Sequence, residues 1–246
     1  MPISTLVKPC SRKLPIAQGP TLNPWDLSAL EEGLRLVERE GGEVIAVSLG
    51  PERAAASLRK ALAMGADRSV LVADDAAAGS DGVATSRVLA AALEREGADV
   101  VLFGQQSSDS DGALLWAAVA DRLRLPLVSQ AASLDVAGGR ARVRRQTEFG
   151  YDVIEAPLPC VIAVSDAINE PRYPSLKGIM GAKKKPQDTL TLADLGLAAE
   201  SAGEAGSGTV VYELKPPPPR GESLVVEDDG AAAERIVEYL TAQKLV

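Results

Sequence analysis

The residues best suited to bind a ligand form a polar loop, residues 104–112, at the end of the apolar run 99–104. A helix is predicted directly after the loop, over residues 113–123. Open α/β sheets bind ligands at the carboxyl ends of their strands, where a following helix offers unpaired N–H groups to an anion. The loop is therefore a candidate nucleotide site, although a solvated connection fits the same residue types. Its candidate cofactor-binding residues are Gly104, Gln106, Ser107, Asp109 and Asp111.

Side chains for bond-breaking chemistry are scarce. The chain has no histidine and two cysteines, Cys10 and Cys160, which leaves little for a structural zinc site or a histidine-based catalytic apparatus. Cys160 lies in the apolar run 159–164 and is typical of a small core residue. We therefore predict no metal site and no catalytic residue.

A second segment with distinctive residue types covers residues 169–185. Its prolines, Pro171 and Pro174, remove two backbone donors and bias the preceding residues away from helix, so the chain leaves the core here. A short helical turn would carry three apolar side chains outward beside a basic patch. The alternative is a surface connection whose apolar residues fold back onto their own domain. The apolar residues are Leu176, Ile179 and Met180, and the basic residues are Lys183, Lys184 and Lys185.

Composition limits the classes of partner. Hydrophobic residues make up 46% of the 246 residues and aromatic residues only 3%, so the core must be built mainly from Ala, Val, Leu and Ile. The formal net charge of −8 argues against a nucleic-acid surface, which needs a clustered basic face. No apolar run reaches 18 residues, so we predict a cytoplasmic protein without stable membrane insertion.

Apolar runs of strand length alternate with amphipathic segments in the first half of the chain. Three successive βα units predict an α/β fold with a doubly wound, mostly parallel sheet, because parallel neighbours need crossover helices. From residue 127 the pattern changes, and turn signals at 138–139 and 149–150 predict an antiparallel extension. Strands are predicted at 3–7, 44–49, 69–73, 99–104, 129–136, 140–146, 151–156 and 161–164. Helices are predicted at 52–64, 83–96 and 113–123, after a first helix that residues 23–26 open and Gly41 ends.

Residues 186–246 form a different kind of chain. A short helix is predicted at 190–197, four prolines at 216–219 predict a stiff spacer, and an amphipathic helix is predicted at 230–245. So little continuous hydrophobicity does not support an independent core. We expect an α/β domain over residues 1–185 and an extended arm over 186–246 that wraps a neighbouring subunit, with partial disorder as the alternative.

The segment 169–185 resembles, nearly residue for residue, the signature of the electron transfer flavoprotein beta subunit, N-E-P-R-Y-x-x-L-x-x-I-M-x-A-K-K-K. The resemblance extends to Asn23-Pro24-Trp25, to the strand and turn at 43–51, and to the run A-L-A-M-G-A-D-R at 61–68. It implies a Rossmann-like sheet of the adenine nucleotide alpha hydrolase type. It also implies a beta subunit that pairs with an FAD-bearing alpha subunit.

The resemblance further implies cofactors and site residues. In that family the alpha chain mainly holds the redox FAD, the beta chain commonly holds AMP in its sheet, and bifurcating members replace AMP by a second FAD. Electrons come from flavoprotein dehydrogenases, which the signature segment recognises through a leucine at the position of Leu176, and they pass toward the respiratory chain. The cofactor-binding residues implied beside the polar loop are Leu6, Asn23, Pro24 and Trp25. The implied recognition residues are Arg172, Tyr173, Leu176, Ile179, Met180, Lys183, Lys184 and Lys185.

Two departures from the family pattern affect the cofactor sites. Residues 113–116 replace the family's hydroxyl- and glycine-bearing phosphate sequence, so Leu115 supplies no hydroxyl and Trp116 would crowd a phosphate. The first loop, between Lys8 and Pro20, lacks the tyrosine that commonly approaches the flavin. Trp25 is the aromatic residue best placed to replace it. We expect AMP as the ligand of this site, with a nucleotide-free beta subunit as the alternative.

Other classes of protein share this kind of sheet. An adenine-nucleotide-dependent enzyme would need a serine-glycine motif for the pyrophosphate, and that motif is not visible. A nucleotide-binding module of the universal-stress type would not need the long arm and its signature segment. Both alternatives lack a sequence feature that would favour them.

Overall fold

The computed structural model describes residues 2–6, 22–108, 112–213, 215, 225 and 228–246. Contacts divide the chain into two units, Met1–Val210 and Val211–Val246. Among the described residues, the first unit contains the sheet and five α-helices, and the second contains the terminal helix. The strands are β1 (Pro2–Leu6), β2 (Glu43–Leu49), β3 (Arg68–Val72), β4 (Val100–Gly104), β5 (Leu127–Ala137), β6 (Arg140–Thr147), β7 (Gly150–Pro157), β8 (Cys160–Val164) and β9 (Gln187–Leu190). The helices are α1 (Pro24–Glu40), α2 (Ala55–Met64), α3 (Gly82–Glu96), α4 (Leu115–Leu123), α5 (Leu176–Ala182) and α6 (Ala232–Ala242).

The nine strands form one sheet in the order β7-β6-β5-β8-β4-β1-β2-β3-β9. The chain builds outward from β1 through β2 and β3 and then crosses to the other side of β1 with β4. The strand order therefore reverses between β1 and β4, which both run parallel. Open α/β sheets bind ligands at such a reversal, beside the carboxyl ends of the strands. Gly104, the last residue of β4, lies there.

Helices cover both faces of the parallel part of the sheet. On one face, Leu89 of α3 shares an apolar cluster with Phe103 of β4. On the other face, Leu30 of α1 and Leu62 of α2 share a cluster with Val44 of β2. Strands buried on both faces explain the nearly continuous apolar runs in the sequence. The predicted α/β class is confirmed.

The antiparallel extension consists of β5, β6 and β7, which pair as a meander. Its burial alternates along β6, where Ala141 and Val143 are buried and Arg140, Arg142 and Arg144 are exposed. This period of two is expected when one face of a sheet is packed and the other meets solvent. The sheet is thus mixed, as predicted.

The structure differs from the sequence expectation just after the signature segment. Residues expected to begin an extended arm form β9, which pairs in parallel with β3. The helix predicted at 190–197 is reduced to one 3-10 turn, Ala193–Leu195. Three of the four residues of β9 are exposed, so this edge strand has no apolar run to reveal it. The boundary between units lies after Val210 rather than after Lys185.

Residues 199–208 are tied to the start of α3. The Asp81 backbone N–H donates to Ser207 Oγ at 2.9 Å, and the Gly208 N–H donates to the Asp81 carboxylate at 2.8 Å. The Gly203 N–H donates to Ser80 Oγ at 2.8 Å. The same Asp81 carboxylate caps the first turn of α3. This segment is therefore part of the α/β unit.

The second unit carries α6, which confirms the predicted terminal helix with slightly shorter bounds. Its apolar residues Ile236, Val237 and Tyr239 are all exposed. Throughout the described ranges, no helix has both the length and the apolar character needed to cross a membrane. In the same ranges no group of three or more metal-ligating side chains is found.

Candidate functional site

Gly104 marks the closest approach of α1 to the sheet. A Cβ atom built on Gly104 would lie 2.6 Å from the carbonyl carbon of Trp25 and 2.7 Å from Oδ1 of Asp26. The Gly104 N–H donates to that Asp26 oxygen at 3.3 Å. Any side chain at position 104 would push α1 away from β4. A glycine here lets the start of α1 lie directly over the end of the strand.

Asn23 links the start of α1 to the polar loop. Its Nδ2 donates to the backbone oxygen of Gln106 at 2.8 Å, and its backbone oxygen accepts from Leu27 N–H at 3.0 Å in the first helical turn. Pro24 occupies the first helical position, where a missing N–H costs nothing. Asn23 Oδ1 is buried and accepts no hydrogen bond from any described group. This atom is an open acceptor at the candidate site.

Two hydrogen bonds between Ser107 and Gly112 close the polar loop. Ser107 N–H donates to the Gly112 oxygen at 3.2 Å, and Gly112 N–H donates to Ser107 Oγ at 3.1 Å. Asp109 and Asp111 lie outside the described residues. Leu6 is the last residue of β1, opposite Val47, and its side chain is also outside the description. The structure thus brings Asn23, Gly104 and Gln106 together.

The first turn of α4 does not fit a phosphate group. Trp116 donates its indole N–H to the Gln105 backbone oxygen at 2.9 Å and packs against the apolar cluster of α3 and β4. Leu114 precedes the helix and makes no side-chain cap. Residues 113–116 contain neither a hydroxyl nor a charged side chain. This part of the loop lacks the groups that hold a nucleotide phosphate in the family pattern.

Arg172 fastens the beginning of the signature segment to α1. Its Nε donates to Glu31 Oε2 at 2.7 Å and its Nη2 to Glu31 Oε1 at 3.1 Å, while Nη1 and Nη2 reach the Glu38 carboxylate at 2.5 and 3.1 Å. The Arg172 backbone N–H also donates to Glu31. The side-chain hydrogen bonds raise the pKa of Arg172, those donated to Glu38 most strongly. Arg172 therefore remains charged and bound to its own subunit.

Two neighbouring glutamates of α1 have opposite pKa shifts. Burial alone would raise the pKa of Glu31, but hydrogen bonds from Arg172 and Arg35 lower it below its ordinary value. Burial does raise the pKa of Glu32, whose partners are weaker. Glu32 accepts from Asn169 Nδ2 at 3.2 Å and lies 3.9 Å from Arg39. Both carboxylates hold the signature segment, and Glu31 is the better compensated.

Lys185 fastens the end of the signature segment to α2. Its Nζ donates to the backbone oxygens of Leu62, Gly65 and Ala66 at 3.1, 3.1 and 2.6 Å. These carbonyls lie in the last turn of α2 and just beyond it, where carbonyls have no partners within the helix. A cation there is also favoured by the helix dipole.

Between these two attachments, α5 rests directly on α2. A Cβ atom on Gly178 would lie 2.2 Å from the backbone oxygen of Ala63. Ser175 caps α5 by accepting from Gly178 N–H at 3.0 Å. The opposite side of the segment is open, with exposures of 92% for Tyr173, 78% for Leu176, 51% for Ile179 and 71% for Met180. The side chains of Leu176, Ile179 and Met180 therefore point outward and do not fold back.

The eight residues predicted to recognise a partner thus fall into two groups. Six are exposed, and two, Arg172 and Lys185, are bound within the subunit. The exposed residues are Tyr173, Leu176, Ile179, Met180, Lys183 and Lys184. Their recognition role stays a prediction.

A cleft of about 530 Å³ separates the signature segment from the start of α1. Its lining includes Trp25 and Leu27 of α1, Lys60 and Met64 of α2, and Tyr173 of the signature segment. Trp25 is half-buried. The same helix, α1, therefore borders the polar loop at its first turn and holds the signature segment further along.

Sequence reasoning missed the residues that hold the segment, Glu31, Glu38 and Gly178. A signal existed for one of them. Glu31 lies three and four residues from Leu34 and Leu27, within the apolar stripe of α1, where a carboxylate needs a partner. The sequence does not say that this partner is Arg172, 141 residues away.

Comparison with known proteins identifies the family. The model of the electron transfer flavoprotein domain matches residues 16–195. The electron transfer flavoprotein beta subunit of Mycobacterium tuberculosis (strain ATCC 25618 / H37Rv) is 41% identical over 224 residues, which cover 89% of this chain and 84% of that protein. The beta subunit of Thermoanaerobacterium thermosaccharolyticum is 37% identical, covering 92% of this chain and 87% of that protein.

A third relative carries the name of a larger assembly. The CarD subunit of the caffeyl-CoA reductase–Etf complex of Acetobacterium woodii is 41% identical over 202 residues, 81% of this chain and 77% of that subunit. The match to the domain model, residues 16–195, includes the signature segment. The chain belongs to the electron transfer flavoprotein family, among the beta subunits, and its role is in electron transfer.

Proposed function

We propose that this chain is the partner-docking subunit of an FAD-bearing heterodimer, which accepts electrons from a flavoprotein dehydrogenase and passes them toward the respiratory chain. The chain itself performs no bond-breaking chemistry in this proposal. The observation that carries it is α5, whose Leu176, Ile179 and Met180 are exposed together beside Lys183 and Lys184.

An exposed apolar cluster of this size fits a transient interface. A few side chains at the centre of an interface supply most of its binding energy, and surrounding charges mainly raise the rate of encounter. Interprotein electron transfer requires an encounter that is fast and easily reversed. One leucine anchor with two free lysines beside it meets both requirements. Leu176, the most exposed of the three apolar residues of α5, is the proposed anchor.

The proposed cofactor is an FAD held mainly by the alpha subunit. FAD supplies reversible storage of electrons when it is bound. Trp25 is the residue of this chain proposed to face it, because its aromatic side chain borders an open cleft beside the candidate site. AMP is left out of the proposed function, because Trp116 and its neighbours lack a phosphate cradle. The cytoplasmic location expected from the sequence stays a prediction.

Pairing with an alpha subunit is proposed from two features. A. woodii CarD is named as a subunit of a complex. The second unit of this chain presents α6, an amphipathic helix whose Ile236, Val237 and Tyr239 are exposed and need a surface to bury. We propose that this unit packs across the alpha subunit.

The visible spectrum tests the proposal. Three samples are purified: this chain alone, the alpha subunit alone, and the pair produced together. A flavoprotein dehydrogenase and its substrate are then added to each sample under anaerobic conditions. We expect flavin absorption in the pair, and bleaching when the dehydrogenase is reduced. A colourless pair, or a flavin that the dehydrogenase does not reduce, would overturn the proposal.

A further inference from the structure

The cationic side chains at the ends of the signature segment are used within the subunit. We infer that Arg172 and Lys185 are positioning residues, which hold the two ends of this segment on α1 and α2 so that α5 presents its apolar side chains already ordered. This inference rests on the proposed docking role of α5. It separates these two residues from Lys183 and Lys184, which the family signature places in the same run.

Helix α5 needs such support because it is short. It has seven residues, and an isolated helix of that length is not stable in water. Two of its residues are glycines, Gly178 and Gly181, which weaken a helix further. The order of α5 must therefore come from contacts with the rest of the α/β unit.

The C-terminal attachment uses all the donors of one side chain. An ammonium group has three N–H donors, and Lys185 Nζ contacts three backbone oxygens at the end of α2. Lys184 differs in every respect. Its side chain is exposed, and its ammonium group makes no hydrogen bond or ion pair with any residue in the described part of the chain. Of these two lysines, only Lys184 is available to a partner protein.

The N-terminal attachment uses most of a guanidinium group. Arg172 directs Nε and both terminal nitrogens at Glu31 and Glu38. Glu31 is 2% exposed, and a buried carboxylate is costly unless it is paired. The ion pair between Arg172 and Glu31 therefore strongly favours the state in which the signature segment is attached to α1. The same Glu31 also accepts the backbone N–H of Arg172, which fixes the chain as well as the side chain.

Preorganisation affects apparent affinity in a defined way. If the competent state is populated only in a fraction of molecules, the apparent dissociation constant rises by the inverse of that fraction. Loss of either attachment should therefore raise the heterodimer concentration at half-maximal rate and leave the maximal rate unchanged. Loss of a charge that steers encounter behaves differently, because its effect disappears at high ionic strength.

Matched substitutions in the intact heterodimer test the inference. Lys185→Gln and Lys184→Gln remove the same charge one residue apart, and Lys185→Arg keeps a donor at the attachment. Glu38→Gln weakens the hold on Arg172 from an exposed position outside the segment. Each variant is assayed for tryptic cleavage after Lys177, which requires α5 to open, and for the half-saturating heterodimer concentration at low and high salt.

We expect Lys185→Gln to speed cleavage after Lys177 about tenfold. It should also raise the half-saturating concentration by the factor by which the ordered fraction of α5 falls, and equally at both salt concentrations. Lys185→Arg should have smaller effects on the cleavage rate and on the half-saturating concentration than Lys185→Gln. Glu38→Gln should raise both quantities, as Lys185→Gln does. Lys184→Gln should leave cleavage unchanged and weaken coupling only at low salt.

Equal cleavage rates for the Lys185→Gln and Lys184→Gln variants would overturn the inference, as would an effect of Lys185→Gln that vanishes at high salt. A Glu38→Gln variant with unchanged cleavage and affinity would overturn it for Arg172. The proposed docking role fails separately. If Leu176→Ala leaves the half-saturating concentration unchanged, α5 does not dock the dehydrogenase, whatever the cleavage assay shows.

Discussion

Glu31 and Glu32 are neighbours on α1, and both are almost fully buried, with exposures of 2% and 4%. Their surroundings differ. Arg172 and Arg35 bond to Glu31 and lower its pKa against the effect of burial, while burial prevails at Glu32 and raises its pKa. The first carboxylate therefore stabilises the folded protein in its charged form. The charged form of the second carboxylate, Glu32, destabilises the folded protein.

Glutamine substitutions at these two positions should have opposite results at neutral pH. Glu31→Gln should lower the free energy of unfolding by about 1–2 kcal/mol, less than for a fully buried pair because Arg172 is partly exposed. Glu32→Gln should leave the free energy unchanged or raise it by up to about 1 kcal/mol. Denaturant unfolding of the heterodimer measures both. A loss at Glu32→Gln equal to that at Glu31→Gln would contradict this account.

The pH dependence follows from the directions of the shifts. The contribution of Glu31 is present above its ordinary pKa, near pH 4.3, and is lost as pH falls through its lowered pKa. The opposition from Glu32 is present above its raised pKa and disappears as pH falls through that value. The free energies of unfolding of the Glu31→Gln and Glu32→Gln variants should therefore each approach that of the unsubstituted protein as the pH falls from about 7 to about 3. A difference that grows toward acid would reverse the assigned signs.

Helix α5 and strand β9 show which features of an element can be predicted from its sequence pattern. The buried strands could be predicted because each is an apolar run, and the signature segment could be predicted to leave the core because of Pro171 and Pro174. Strand β9 could not be predicted, because it is short, polar and at the sheet edge. The attachments of α5 could not be predicted either, since the partners of Arg172 and Lys185 lie more than a hundred residues away in the sequence.

Two glycines of α5 provide a matched test of its contact with α2. A Cβ atom at Gly178 meets the Ala63 oxygen at 2.2 Å, while a Cβ atom at Gly181 meets nothing within 4 Å. Gly178→Ala should separate α5 from α2 and speed hydrogen exchange over residues 176–182. Gly181→Ala should slow that exchange, because alanine favours helix over glycine by about 0.5–1 kcal/mol. Equal exchange in the two variants would argue against the close contact.

The junction of the polar loop with α4 leads to a prediction about bound nucleotide. Since residues 113–116 offer no hydroxyl or charge and the indole N–H of Trp116 is used by Gln105, we expect heat-denatured heterodimer to release FAD without a stoichiometric amount of AMP. Chromatography of the supernatant measures both. One equivalent of AMP would show that the loop binds phosphate by other groups, with Asn23 Oδ1 as a candidate contact.

At the scale of the whole molecule, the division after Val210 changes how the arm should be tested. Truncation after Lys185 would remove β9 and the segment tied to α3, and so would damage the sheet. Truncation after Val210 removes only the second unit. We expect that variant to keep its secondary structure by circular dichroism and to lose co-elution with the alpha subunit. Normal pairing without residues 211–246 would contradict the proposal that the second unit packs across the alpha subunit.

The central claim is that this subunit docks a dehydrogenase through Leu176. The most direct measurement is the half-saturating concentration of heterodimer for electron transfer, with Leu176→Ala compared with Leu114→Ala. Both positions are exposed to a similar extent, 78% and 76%, and only Leu176 lies on α5. Truncating an interface anchor typically costs about 2 kcal/mol, so Leu176→Ala should raise that concentration roughly 30-fold. The flavin spectrum and melting temperature should be unchanged, and Leu114→Ala should have no effect. Equal behaviour of the two variants, or a lower melting temperature with an unchanged rate for Leu176→Ala, would contradict the account.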